Sequence, residues 1–138
     1  MAPTDEQTAA LQQKFPMRLD LKSLVVSADE LPWKPTRHPG VEFKLLYEDA
    51  ASGLFTGLFR WAPGAELPYH EHAEVEQTFV LEGSLVDHEG ELGPGCYAAR
   101  PAGSRHVARS PNGCLHISFF IKPNLFFSAD GDATPFER

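Results

Sequence analysis

The chain has few cysteines, no long apolar run and a shortage of positive charge, and each of these argues against a class of protein. Two cysteines in 138 residues, Cys96 and Cys114, cannot build a disulfide-rich scaffold, and we expect both to be free thiols. No stretch approaches the roughly 18 apolar residues of a membrane helix, and the N-terminus lacks a signal-peptide core, so we expect a cytoplasmic protein. Nineteen acidic residues against twelve Lys and Arg argue against nucleic acid or an anionic membrane as a partner.

Short apolar runs separated by turn residues make up most of the chain. Runs rich in Val, Ile, Phe and Tyr, broken by Gly, Pro or Asn about every 8–12 residues, are typical of an all-β barrel or sandwich, and the length favours one domain. The predicted strands cover residues 21–27, 41–48, 54–62, 75–83, 95–101, 104–110 and 114–122. A capping-box pattern at Thr4 and Gln7 predicts a short helix over 5–14, and the polar tail 128–138 is expected to be loose or draped.

The strand predicted over 75–83 has two unlike faces. Its odd-numbered positions are mostly apolar, whereas its even-numbered positions mix acids with small residues: Glu76, Thr78, Val80 and Glu82. A barrel with a semi-polar cavity needs such a face on the inside, but a solvated outer face gives the same pattern. The strand alone leaves both interpretations open.

The stretch HEHAEVE, residues 70–76, holds a dense set of potential metal ligands. Because residues i and i+2 of a strand point the same way, His70 and His72 would project together, about 6.6 Å apart. Glu76 shares their parity but lies about 13 Å farther along a straight strand, so it can join them only if the chain bends near residues 73–74. His106 follows the turn sequence PAGS and is the obvious further ligand. For the two neighbouring histidines alone, a solvated polar hairpin is the alternative.

Two longer patterns around these residues resemble the two motifs of the cupin family. Gly64, five residues, His70-x-His72, three residues, Glu76, six residues and Gly83 match the first motif; Gly95, five residues, Pro101-x-Gly103, two residues and His106 match the second. The resemblance implies an RmlC-like jelly-roll β-barrel with a short N-terminal helix. It also implies one divalent metal ion on His70, His72, Glu76 and His106, with the motif glycines and Pro101 as turn residues. Ser110 departs from the second motif, which has a non-ligating Asn there.

Within the cupins, residues 39–49, 56–72 and 76–106 are similar to the ChrR-like group. Its members include the zinc-binding cupin half of an anti-sigma factor and iron dioxygenases that cleave a carbon–carbon bond in dihydroxyacetophenone. A sigma-binding role is unsupported, because residues 1–40 contain no cysteine and one histidine. The resemblance divides the chain into an N-terminal helix and strand packed on the barrel (1–40), the barrel (41–126) and a tail (127–138).

The resemblance implies a metal-dependent function on a small molecule. The favoured hypothesis is a non-haem Fe(II) dioxygenase that cleaves an enolisable hydroxy ketone or β-diketone with O₂. The alternatives are a redox-neutral isomerase or lyase on the same metal cage, and a non-catalytic zinc-binding sensor or binding module. The ligand set does not distinguish Fe(II) from Zn²⁺, Ni²⁺ or Mn²⁺. Family precedent also predicts a homodimer, with the strand at 21–27 as the pairing edge.

Several side chains outside the motifs are candidates for substrate binding. They are Arg60, Gln77, Tyr97 and His116, for which a surface salt bridge, a barrel rim or a hydrogen-bonded core position is the structural alternative. His38 and His88 lie in turn sequences, and we expect both to be solvated.

Overall fold

The computed structural model of the protein describes residues 2, 4–7, 9, 22–127 and 133–135. Within these residues, twelve β-strands form two six-stranded antiparallel sheets. The first sheet contains, in spatial order, β1 (Lys34–Pro35), β2 (Val41–Glu48), β3 (Phe55–Trp61), β10 (Cys114–Phe120), β5 (Glu76–Gly83) and β8 (Tyr97–Arg100). The second contains β12 (Ala133–Pro135), β11 (Leu125–Phe127), β4 (Ala65–Glu71), β9 (Arg105–Ser110), β6 (Leu85–Asp87) and β7 (Gly90–Leu92). The predicted all-β class is confirmed.

The apolar core lies between the inner faces of these sheets. Along β3, β9 and β10 the buried residues alternate with more exposed ones, as expected of strands with one face inward. Val41, Phe43 and Phe55 are at most 2% exposed, and the ring of Phe55 stacks on Phe120 with centroids 4.3 Å apart. Burying each such side chain contributes about 1.5–3 kcal/mol to the free energy of unfolding, so this core holds the two sheets together.

The two faces of β5 are resolved by the structure. Thr78 and Val80 are buried with at most 2% of their surface exposed, whereas Phe79 and Leu81 are 39% and 43% exposed. The semi-polar face therefore points inward and the apolar face outward. The polar side chains can be buried there because they hydrogen-bond to one another, as described below.

The N-terminal predictions are only partly met by the described residues. Most of the helix predicted over 5–14 lies outside them, although residues 5–7 and 9 are helical. The strand predicted over 21–27 is wrong for residues 22–27, which belong to no strand. The side chain of Val25 is 87% exposed, so this apolar run has no layer to pack against. The homodimer expected through this segment stays a prediction.

The C-terminal tail is more ordered than the sequence indicated. Leu125–Phe127 forms β11, which pairs on one side with β4 and on the other with β12 at Ala133–Pro135. The tail predicted to be loose therefore supplies a strand, while residues 128–132 and 136–138 lie outside the described chain. The domain boundaries at residues 40 and 126 remain predictions.

Both cysteines are free, as predicted. Cys114 is buried in the core, and burial raises the pKa of its thiol to about 12. Cys96 is exposed in the turn before β8. Among the described residues, no helix has the length and apolar character to cross a membrane.

Candidate metal centre

Three histidines, two on neighbouring strands and one just beyond the end of β4, converge inside the barrel. His70 on β4 and His106 on β9 are directly opposite each other in the antiparallel pairing. His72 follows the end of β4 and is tied to the β9 side of the sheet by a backbone hydrogen bond from its amide to the carbonyl of Ser104, 2.9 Å long. The three residues are at most 6% exposed, and one ring nitrogen from each lies within 4.8 Å of the others.

Each of the three imidazoles donates its Nδ1 proton to a carbonyl or carboxylate oxygen, and these groups can only accept a hydrogen bond. The partner of His70 is the carbonyl of Pro68 at 2.8 Å, that of His72 is the carbonyl of Ser104 at 2.9 Å, and that of His106 is a carboxylate oxygen of Asp87 at 2.7 Å. In the neutral form, each ring therefore carries its proton on Nδ1 and a free lone pair on Nε2.

The Nε2 atoms of the three neutral histidines carry no proton, so they cannot hydrogen-bond to one another. His70 Nε2 and His106 Nε2 are 3.0 Å apart, while His72 Nε2 is buried with no hydrogen-bond partner. Two lone pairs at this separation repel unless a cation lies between them. Nitrogen ligands bound to one ion at about 2.1 Å and at right angles would be about 3.0 Å apart. The donor set thus fits a divalent metal ion.

Electrostatics keep these rings neutral and ready to coordinate. Burial lowers the pKa of His70 and His72, although hydrogen bonds to the carbonyls of Pro68 and Ser104 oppose the shift. Burial also lowers the pKa of His106 to about 4, against the opposing effect of Asp87. Protons therefore compete weakly with a metal ion near neutral pH.

Asp87 couples His106 to the cation of Arg100. Its Oδ2 accepts hydrogen bonds from His106 Nδ1 at 2.7 Å and from the Arg100 guanidinium at 2.8 Å, and its Oδ1 accepts one from the amide of Glu89. Burial alone would raise the pKa of Asp87, but these hydrogen bonds and the Arg100 charge outweigh it and lower the pKa. A carboxylate behind a ligating imidazole orients the ring and increases its basicity.

Glu76 is brought beside His72 by a bend at residues 73–74, as its parity and distance along the chain required. Its Oε1 lies 3.6 Å from His72 Nε2. Oε1 also accepts a hydrogen bond from Asn124 Nδ2 at 2.9 Å, and Oε2 accepts one from the hydroxyl of Thr78 at 3.0 Å. The carboxylate is thus held next to the cluster by a partner on each oxygen, and its predicted role as a fourth ligand stays a prediction.

A small cavity of about 40 Å³ extends from these residues into the barrel. Its wall includes Glu76, His106, Arg100 and His116, and the remaining lining is largely aliphatic and aromatic. At roughly 10–15 Å³ per probe-sized molecule, it has room for a few waters or diatomic molecules.

Three of the four predicted substrate-binding residues are not brought to this cavity. Arg60 is bonded to Glu42 at 2.9 Å and lies over the ring of Trp33. The exposed hydroxyl of Tyr97 donates to the Oε1 of exposed Gln77, on the outer face of the first sheet. A strand position alone does not tell which face is inside, and both faces of these strands carry polar groups.

The remaining histidines differ in their surroundings. His116 lines the cavity and is 5% exposed. His88 is solvated, as expected, whereas His38 is half-buried with its ring 4.7 Å from that of Phe126, so the expectation of a solvated His38 is wrong. Phe126 comes from β11, an element that the sequence did not indicate.

Ser110 and the motif glycines explain how the strands meet around the site. Buried Ser110 donates its hydroxyl to the carbonyl of Ser84 at 2.6 Å. Gly83 has a φ of +70°, and a Cβ there would lie 2.0 Å from the carbonyl oxygen of Gly113. Gly64 also has a positive φ, +87°, but open space around it. The turn at residue 83 therefore needs glycine for both conformation and space.

The chain matches the family model of the ChrR cupin-like domain over residues 21–122. It belongs to the ChrR-like cupin family. The fold and family predicted from the two motifs are thus confirmed. Among curated protein sequences, none matches this cupin.

Solved structures with the same fold include three close in shape. A candidate acetylacetone dioxygenase from Methylibium petroleiphilum is 23% identical, with a TM-score of 0.76, over 84% of this chain and 88% of that one. An acetylacetone dioxygenase from Acinetobacter johnsonii is 18% identical, with a TM-score of 0.71, over 84% of each chain. A cupin-like protein of unknown function from Ralstonia eutropha is 26% identical, with a TM-score of 0.74, over 85% of this chain and 78% of that one.

Proposed function

We propose that this cupin is a non-haem Fe(II) dioxygenase that cleaves a carbon–carbon bond in a small enolisable ketone, such as a β-diketone or a hydroxy ketone. His70, His72 and His106 would hold the ion, with Glu76 as the adjacent carboxylate. The observation that carries the proposal is the convergence of three buried Nε2 lone pairs, each set by a fixed Nδ1 hydrogen bond.

The charge of the site supports an anionic, bidentate substrate. Three neutral imidazoles leave the charge of a divalent ion uncompensated, and one carboxylate reduces it only to about +1. A bound Fe(II) supplies Lewis acidity toward both oxygens of an enolate and the redox capacity that O₂ chemistry requires. The guanidinium of Arg100 in the cavity wall adds positive charge from the protein, partly offset by Asp87.

The size and lining of the cavity support access of O₂ to the site. The aliphatic and aromatic part of its wall suits an uncharged diatomic molecule better than bulk water, and its volume of about 40 Å³ has room for O₂. Two structures of similar fold are described as acetylacetone dioxygenases, one of them as a candidate, which supports the same substrate class.

The test is oxygen uptake by protein loaded anaerobically with Fe(II). Acetylacetone, an α-hydroxy ketone and dihydroxyacetophenone are supplied in turn. Cleavage should consume one O₂ per substrate, and ¹⁸O₂ should place one labelled oxygen in each of the two fragments. His106→Ala should lose both bound iron and oxygen uptake, whereas His88→Ala, at an exposed histidine, should keep both.

Turnover under strictly anaerobic conditions would contradict the proposal and favour a redox-neutral isomerase or lyase. A protein that holds Zn²⁺ through four protein ligands, with no position open to an added chelating ketone, would instead favour a binding module. X-ray absorption on metal-loaded protein, with and without acetylacetone, distinguishes these cases.

A further inference from the structure

A line of hydrogen bonds crosses the inner face of the first sheet and ends on Glu76. Trp61 Nε1 donates to His116 Nε2 at 3.0 Å, and His116 Nδ1 lies 3.0 Å from Ser118 Oγ. Ser118 Oγ is 2.7 Å from Thr78 Oγ1, which donates to Glu76 Oε2 at 3.0 Å. The residues lie on β3, β10 and β5, neighbouring strands in the sheet. We call Trp61, His116, Ser118 and Thr78 the Trp61 relay.

The direction of donation along the Trp61 relay is fixed at its first member. An indole N–H can only donate, so His116 Nε2 must accept and the ring proton must be on Nδ1. The Nδ1–H of His116 then donates to the hydroxyl of Ser118. The Ser118 hydroxyl donates to the hydroxyl of Thr78, and the Thr78 hydroxyl donates to Glu76. Every donor and acceptor on this path is used once, and the carboxylate oxygen is the final acceptor.

The surroundings of His116 keep this direction unchanged. Its ring stacks on Phe59 with centroids 5.1 Å apart, and burial lowers its pKa to about 3, so the ring is neutral at physiological pH. A neutral imidazole has one donor and one acceptor, which are both occupied here. Apolar side chains of similar size would fill this core without any hydrogen-bonding requirement. A path of polar groups whose hydrogen bonds are all satisfied, within an apolar core, therefore indicates a role for the group at its end, the Glu76 carboxylate.

We propose that the Trp61 relay positions Glu76 so that a single oxygen, Oε1, faces the metal centre. This inference rests on the metal centre of the proposed function but not on its oxygen chemistry. Thr78 holds Oε2 from the β5 side, and Asn124 holds Oε1 from the segment before β11. Oε1 keeps a lone pair free and lies 3.6 Å from His72 Nε2, whereas Oε2 is turned toward Thr78. The four members of the relay are positioning residues, since only the Glu76 carboxylate at its end lies beside the cluster.

The first test is the protonation state of His116 in metal-free protein, read from ¹⁵N NMR of its ring. The relay requires the Nδ1–H form alone. Trp61→Phe, which removes the indole donor, should populate the Nε2–H form as well. A wild-type ring protonated on Nε2 would overturn the inference whether or not the protein binds metal.

The second test is affinity for Co²⁺, measured by calorimetry and by the cobalt absorption bands. Thr78→Val keeps the side-chain shape but removes the donor to Glu76, and we expect about 10–100-fold weaker binding, the usual cost of losing an outer hydrogen bond at a metal site. Ser118→Ala, one step farther away, should weaken binding less. The control is Thr56→Val, the same substitution on the outward-facing side of β3. It should leave the affinity for Co²⁺ unchanged.

A double-mutant comparison separates positioning from general stability. In a Glu76→Gln background, Thr78→Val and Ser118→Ala should have little further effect on Co²⁺ affinity, because the carboxylate they position is gone. Equal losses in both backgrounds, or equal behaviour of Thr78→Val and Thr56→Val, would overturn the relay. Wild-type protein that binds Co²⁺ with the expected variant pattern, yet consumes no O₂ when loaded with Fe(II), would overturn the oxygenase proposal alone.

Discussion

The two sheets hold the candidate metal centre in different ways. The imidazole wall, formed by His70, His72 and His106 at β4 and β9, is fixed mainly by backbone carbonyls and by Asp87. The carboxylate wall, formed by Glu76 and the Trp61 relay on β5, β10 and β3, is fixed by side chains alone. Backbone acceptors move only if the strand moves, whereas a side-chain path can be broken by any one substitution. The imidazole wall is therefore the rigid half of the site, and the carboxylate wall is the adjustable half.

Glycine substitutions next to the strands of the two walls should show the largest difference, which is a difference in the free energy of unfolding. Gly83→Ala, at the end of β5, forces a Cβ to 2.0 Å from the carbonyl oxygen of Gly113 and should cost about 4 kcal/mol. Gly64→Ala, before β4, meets nothing within 4 Å and should cost only the left-handed backbone penalty of about 1–2 kcal/mol. Urea unfolding measures both. Equal losses would show that backbone conformation alone, not space, makes glycine necessary at position 83.

Removal of Asp87 tests the one part of the imidazole wall that depends on a side-chain acceptor. Asp87→Ala leaves His106 Nδ1 without its acceptor and removes the nearer of the two carboxylates beside Arg100, so metal affinity should fall about 10–100-fold. Asp87→Asn, which keeps an oxygen acceptor, should recover part of the loss. Calorimetric titration with Co²⁺ gives both values, and circular dichroism verifies that each variant is folded. Unchanged affinity in Asp87→Ala would mean that packing alone orients His106.

Acid should weaken the carboxylate wall through His116. The native pKa of about 3 lies below the ordinary 6.5, so between these values the unfolded chain binds a proton that the native protein excludes. The free energy of unfolding should therefore fall with decreasing pH across this window, by up to about 1.4 kcal/mol per pH unit from this residue. Metal-free His116→Gln should show a slope that is smaller by that amount. Parallel slopes for the two proteins would mean that the buried ring becomes protonated without unfolding.

Ser104→Ala should have the smallest effect of the set. The Ser104 hydroxyl lies 2.8 Å from His72 Nδ1, but the carbonyl of the same residue accepts from that nitrogen at 2.9 Å. Because the backbone acceptor remains, metal affinity should change by less than about 3-fold, below the usual range for outer partners. A loss as large as that of Asp87→Ala would show that the Ser104 hydroxyl, and not only the Ser104 carbonyl, is needed to hold His72.

Much of the imidazole wall could be predicted from the sequence because its three histidines lie in two short motifs with fixed spacing. His70 and its acceptor Pro68 are two residues apart. Ser104, whose carbonyl accepts from His72 across 32 positions, lies within the second motif. The strand that carries His70, β4, was nonetheless missed. Pro68 cannot donate to a ladder, and the register shifts between Leu67 and His70, so this stretch resembles a loop.

Glu76 and His116 were candidates from the sequence, but the hydrogen bonds of the carboxylate wall could not be predicted, because they join distant residues. Trp61 and His116 are separated by 55 positions, Thr78 and Ser118 by 40, and Glu76 and Asn124 by 48. The only local signal was the mixed even-numbered face of residues 75–82, which fitted an inner or an outer surface equally well. The register of β10 against β5 decides between them, since it places Ser118 directly opposite Thr78.

With a divalent ion on the three histidines, the 3.0 Å approach of His70 Nε2 and His106 Nε2 would link the stability of the folded chain to the supply of metal. Facing lone pairs raise the energy of the ion-free protein, and a cation that relieves this repulsion binds the native state alone. Free ion at about 100 times its dissociation constant would add about 2.7 kcal/mol to the free energy of unfolding. Chelation would thus shorten the lifetime of the protein against proteases, because the ion would also stabilise the folded chain.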